Sequence, residues 1–112
     1  MNQTIDCYHV TTTYAWEHHI QQEGLRPAIG ERATEYGETT PRVYLFPNIE
    51  AYEDAMLQWL GELFDDDEPL VLLKVSLPLA VFADYIEQDV AYEIAVTQPI
   101  PPMHLSFVTH VA

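Results

Sequence analysis

A chain of 112 residues, 48% of them apolar, can bury one modest core and has no room for a second domain. Its 18 acidic residues face four basic ones, a formal charge of -14. Phosphate backbones are gripped by clustered Lys and Arg, so this balance excludes direct nucleic-acid binding and favours a basic protein partner, or solubility alone. Cys7 is the one cysteine, which rules out an intrachain disulfide. The N-terminus lacks the basic start and apolar stretch of a signal peptide, and the apolar run around Leu70 and Leu73 is too short for a bilayer. The expected setting is one cytoplasmic domain, 1–112, with no membrane contact.

Residues 5–10 alternate, Cys7 and His9 on one face and Tyr8 and Val10 on the other, and are expected to form a strand. One of Thr11, Thr12 and Thr13 then caps a helix over 14–23, in which Trp16, Ile20 and Gln21 fall at helical spacing. Gly24 should end it in the left-handed conformation, with Leu25 folding back against it and Pro27 forbidding continuation. Residues 28–41 read as a long surface loop, of the kind that tends to bind something.

Residues 43–46 form a short apolar strand entered from Arg42 and ended by Pro47. Asn48 is a good cap for the next helix, with Glu50 and Glu53 near its positive end. That helix is expected over 49–64, its core stripe being Tyr52, Ala55, Met56, Trp59, Leu60 and Leu63. The acidic run 65–68 and Pro69 break it. Residues 70–77, nearly continuous in apolar side chains, suit a strand covered on both faces. Residues 80–85 read as a short strand or turn and 87–89 as a polar connection. Two more strands are expected over 91–97 and 105–111, and Pro99, Pro101 and Pro102 exclude a helix between them. The order predicts an α+β fold with two main helices.

Metal chemistry finds little support. The five His residues and Cys7 show no zinc-ligand spacing, and adjacent His18 and His19 point about 100° apart on a helix. The acidic run 65–68 lacks the alternating ligands of a calcium loop and reads as a solvated linker. Cys7 and His9 share a strand face but stand about 6.5–7 Å apart, too far for direct activation of the thiol, so Cys7 reads as a buried structural residue.

Three segments together carry a resemblance: Tyr8-His9-Val10-Thr11, Arg42-Val43-Tyr44-Leu45-Phe46 and Tyr92-Glu93-Ile94, with Glu23-Gly24-Leu25-Arg26-Pro27 and Pro99-Ile100-Pro101-Pro102 between and after them. In this order they resemble the ADP-ribosyltransferase-fold superfamily, in the branch of small bacterial and phage toxins with an H-Y-E set, and are similar also to the RNA 2′-phosphotransferases. The resemblance implies a small split β-sheet domain with nicotinamide adenine dinucleotide (NAD) as substrate. It places the catalytic set at His9, Tyr44 and Glu93. NAD-binding positions would be His9, Thr11, Arg26, Arg42, Tyr44 and Tyr52. The residue types suit that chemistry: a His for a ribose hydroxyl, a Tyr face for the nicotinamide ring, and a carboxylate for the ribose and its developing positive charge. Arg26, Arg32 and Arg42 are the available partners for the pyrophosphate, unless they pair with Glu31, Glu35 and Glu38 on the loop.

The chain departs from the arginine-modifying branch, lacking its Ser-Thr-Ser second motif and the two-residue-spaced acidic pair at its third motif, and it has almost no basic residues to spare for the RNA phosphate that the phosphotransferase branch grips. The expected activity is therefore mono-ADP-ribosylation of a protein target, or NAD hydrolysis, in a phage or bacterial conflict effector. Glu87 is the rival to Glu93 as the carboxylate. The alternative is a non-catalytic acidic protein that docks on a basic, nucleic-acid-binding partner.

Overall fold

The computed structural model describes residues 3–28, 41–58, 60–64, 67–90 and 93–111. Strand β1 (Thr4–Thr12) extends beyond the alternating 5–10 because a later strand, β3 (Leu70–Pro78), pairs with it antiparallel from end to end, Thr4↔Pro78 to Thr12↔Leu70. Its two faces divide as the alternation requires, Cys7 entering one apolar cluster and Tyr8 and Val10 another.

Thr12 is the cap: its Oγ1 accepts the Ala15 backbone N–H at 3.0 Å. Helix α1 (13–23) is α-helical over Thr13–Ala15, widens into a π turn over Trp16–Ile20, and is α-helical again over Gln21–Glu23. The extra residue in that turn rotates the last helical turn about the axis. Ile20 is buried and Trp16 packs on the core, but Gln21, expected on the same stripe, is exposed.

Gly24 stops the helix by a different conformation from the expected one. At φ 80° and ψ -171° it is extended in a region open in practice only to glycine, not in the left-handed helical well. The cause is tertiary. Leu25 and Ile100 exchange backbone hydrogen bonds of 2.9 and 2.8 Å, and a Cβ on Gly24 would overlap the Ile100 carbonyl oxygen.

Residues 29–40, with Arg32 and the loop glutamates, lie outside the described residues; at their flanks Ala28 and Arg42 form an isolated antiparallel bridge. After β2 (Val43–Leu45), Asn48 caps helix α2 (Ile49–Gln58), its Oδ1 accepting the Ala51 N–H at 2.8 Å. The helix is shorter than 49–64: it tightens into a 3₁₀ turn at Leu60–Leu63. Gly61 permits this, since a Cβ there would come within 2.8 Å of the Met56 carbonyl oxygen. Tyr52, Ala55 and Leu60 of the expected stripe are buried and Met56 packs beside them, while Trp59 lies outside the described residues.

Between residues 79 and 90 the strand alternative for 80–85 and the polar connection at 87–89 are corrected. Beyond Pro78 the chain is helical, α3 (Leu79–Phe82) followed by a 3₁₀ turn at Ala83–Tyr85, because one helical turn sends Phe82 into the core. Residues 87–89 are no connection but the interior of β4 (Ile86–Val90), paired antiparallel with β5 (Glu93–Val96). A strand at a sheet edge can carry polar residues on pattern grounds that would exclude it from the centre. Near the end, Pro102 opens a 3₁₀ turn (Pro102–His104), where a missing N–H costs nothing, before β6 (Leu105–Val111).

The result is an α+β fold with two three-stranded antiparallel sheets, ordered β1-β3-β6 and β2-β5-β4. Tyr8 and Phe46 join them through a reciprocal pair of backbone hydrogen bonds, both 2.8 Å. From that seam the sheets part around a core to which both contribute: Cys7, Leu73 and Val75 from the first, Val43, Leu45, Ile94 and Val96 from the second, closed by Ile20 of α1. On the other face of the first sheet, α2 packs Tyr52 and Ala55 against Val10, Leu70 and Leu72. Central strand β3 is thus covered on both sides, as its apolar run predicts. Among the described residues no helix is long and apolar enough to cross a membrane.

Candidate functional site

At the seam between the sheets His9 of the first meets the backbone of Tyr44 in the second. At Phe46, just past β2, the backbone N–H and C=O both point to β1, and by the alternation of an antiparallel ladder those of Tyr44 point the same way. β1 and β2 have parted there, and it is a side chain that meets the Tyr44 carbonyl: His9 Nδ1 lies 3.1 Å from that oxygen. A carbonyl only accepts, so Nδ1 carries the hydrogen and, in the neutral ring, Nε2 keeps its lone pair. Burial lowers the His9 pKa from 6.5, only partly opposed by the bond to Tyr44. The imidazole is therefore neutral at pH 7, half-buried, with an acceptor nitrogen opposite the Tyr44 bond.

Tyr44 and Glu93 share the face of the second sheet that points away from the common core. Val43 and Leu45 turn inward, leaving Tyr44 outward. Tyr44 lies directly opposite Ala95, and Glu93 is two residues from Ala95 on β5, so Tyr44 and Glu93 are diagonal neighbours about 7–8 Å apart at Cα. Ala95 between them has no exposed surface, and both Tyr44 and Glu93 are half-buried. This face is covered at its centre rather than open to water.

Arg42 adds a cation to the same face, being two residues from Tyr44 on the chain. Its Nε donates to Glu87 Oε2 at 2.7 Å, and the pair bridges β2's entry to β4. Glu87 raises the Arg42 pKa further, with a smaller contribution from a hydrogen bond to Tyr44, so the guanidinium links the strand edge to the tyrosine side chain. Glu87 sits at the irregularity where β4 shifts register between Ile86 and Gln88, which is how a residue of an edge strand reaches Arg42.

Of the residues singled out from the sequence, Arg42, Tyr44 and Glu93 thus share the outer face of the second sheet, whereas His9, on the β1 face that carries Cys7 into the core, meets Tyr44 through its backbone carbonyl. Thr11 comes two residues after His9 on the same face of β1, half-buried opposite Val71. Tyr52 is elsewhere: it is buried under α2, its ring edge-to-face with Phe46 at 6.1 Å, and it belongs to the core. Arg26 is exposed and pairs with Glu23 at 3.5 Å near the end of α1. Glu87, the rival carboxylate, reads from the sequence as part of a polar connection; Ile86 and Val90 around it are the available sign of a strand. Tyr44's backbone carbonyl, His9's partner, leaves no sign in a sequence at all. Cys7 is fully buried. Among the described residues no three His, Cys, Asp or Glu side chains cluster as metal ligands.

Comparison with known proteins gave no match to any family model, curated protein or solved structure.

Proposed function

We propose that the protein is a small ADP-ribosyltransferase-like enzyme that binds NAD and cleaves its nicotinamide–ribose bond, passing ADP-ribose to a protein side chain or to water. The observation that carries this reading is the bond from His9 Nδ1 to the Tyr44 carbonyl where two three-stranded sheets part, with Glu93 diagonal to Tyr44 on one face. A split sheet with His, Tyr and Glu on three neighbouring strands is what the resemblance to the transferase superfamily implies.

In this reading His9 Nε2 accepts a ribose hydroxyl, and the Tyr44 ring offers a face to nicotinamide. Glu93 accepts the ribose 2′-hydroxyl and stabilises the positive charge on the sugar as the glycosidic bond breaks. The bonding pair leaves with nicotinamide, the acceptor oxygen or nitrogen closes on the anomeric carbon, and its proton passes to a carboxylate or to solvent. Arg42 faces the pyrophosphate once Glu87 yields it.

Titration calorimetry of NAD into the protein, with nicotinamide release measured in parallel, tests the proposal. Binding and release by the parent, with release abolished in Glu93→Gln while binding persists, is the expected outcome. Absence of heat at millimolar NAD would sink it.

A further inference from the structure

The first sheet ends at β6, which among the described residues pairs with β3 alone. An edge strand presents unpaired N–H and C=O groups, and folded proteins blunt such edges with charged residues, proline, short length or bulges. β6 has seven residues, none formally charged and none proline, and the five from 106 to 110 are all exposed. Phe107 and Val108 keep 45% and 41% of their surface in water. One irregularity, opposite Leu72 and Leu73, leaves three paired positions on either side of it. The β4 edge of the second sheet is treated differently, carrying the exposed carboxylate of Glu87. In a chain whose residues are 20% charged, β6 carries no Lys, Arg, Asp or Glu, and on either side of its one bulge it keeps a three-residue stretch whose outer edge no described strand pairs.

Charge decides what would pair there. A second copy would bring another -14 against this one, and like charges within a Debye length of about 8 Å at physiological salt repel. Asp67 and Glu68 are exposed just ahead of Leu70, the residue paired with Val111, so carboxylates flank one end of the edge. Lys74, opposite Ser106, is already ion-paired to Asp6 at 3.4 Å. We infer that β6 is a docking edge for an extended lysine- or arginine-rich segment of a partner protein, which adds to the first sheet as a fourth strand beside Phe107 and Val108. Main-chain hydrogen bonds supply the attachment and the acidic surface selects the partner's sign. This holds whether or not the seam between the sheets turns over NAD.

Amide hydrogen exchange with a synthetic peptide alternating Lys and Val, and a Glu/Val peptide of equal length as control, tests it. The basic peptide should slow exchange at β6 by at least about tenfold at low salt, and the effect should fade as salt rises. Phe107→Lys with Val108→Lys should remove that protection while the urea midpoint stays near the parent's. Protection spread over α2 instead of β6, or equal binding of the acidic peptide, would overturn the inference. So would sedimentation showing a dimer in which the β6 amides are already protected, since a second copy would then hold the edge.

Discussion

Replacing His9 tests the seam between the sheets directly. In His9→Ala the Tyr44 carbonyl loses a donor 3.1 Å away, and a desolvated acceptor that loses its hydrogen bond costs about 1–3 kcal/mol. Loss of the packed ring adds to this, so urea unfolding should report a deficit of about 2–3 kcal/mol. His9→Asn, whose amide can stand where Nδ1 does, should recover at least half. The two variants also differ from the parent in pH dependence. Burial lowers the folded pKa of His9 below 6.5, so as the pH falls the unfolded chain takes up this proton first. The stability held by neutral His9 is therefore complete above the unfolded value and lost as pH drops from it towards the lower folded value. The slope is at most about 1.4 kcal/mol per pH unit. Urea titrations at neutral pH and about one unit below the unfolded pKa, on parent and His9→Asn, isolate this contribution as a difference of slopes. Identical slopes, or a His9→Ala variant within about 0.5 kcal/mol of the parent, would refute the account of His9 as the donor that closes the seam.

Gly24→Ala combines an unfavourable positive φ with a clash against Ile100 and a 3.1 Å approach to Pro101 Cα; it should cost about 3–5 kcal/mol and lower the urea midpoint accordingly. Asn48→Ala removes the 2.8 Å cap of α2 and should cost about 1 kcal/mol by the same assay. Leu73→Ala empties a fully buried position between the sheets, with an expected loss of about 2–5 kcal/mol. Glu87→Gln takes the charge from the carboxylate that holds Arg42 at 2.7 Å; if Arg42 serves the pyrophosphate, calorimetry should show tighter NAD binding, and an unchanged Kd would remove Arg42 from the site.

Local physics makes much of this fold legible in the sequence. Thr12 and Asn48 cap the helices because a short side-chain oxygen satisfies an orphan N–H wherever it precedes a helix. β3 announces its central place through an unbroken apolar run, and β1 its two faces through alternation. The placing of His9, Tyr44 and Glu93 on three separate strands likewise follows from the apolar patterning around them. Pairing across long separations is not. β4 is a strand because β5 lies beside it, although its residues read as a connection. Gly24 is extended because Ile100, distant in sequence, binds Leu25 next to it. The π turn in α1, which exposes Gln21, arises where the helix must seat both Trp16 and Ile20 on a core built by other strands. Most of all, His9 meets a backbone carbonyl, a group every residue carries alike, so its choice of Tyr44 depends on where two sheets diverge and not on any side-chain code.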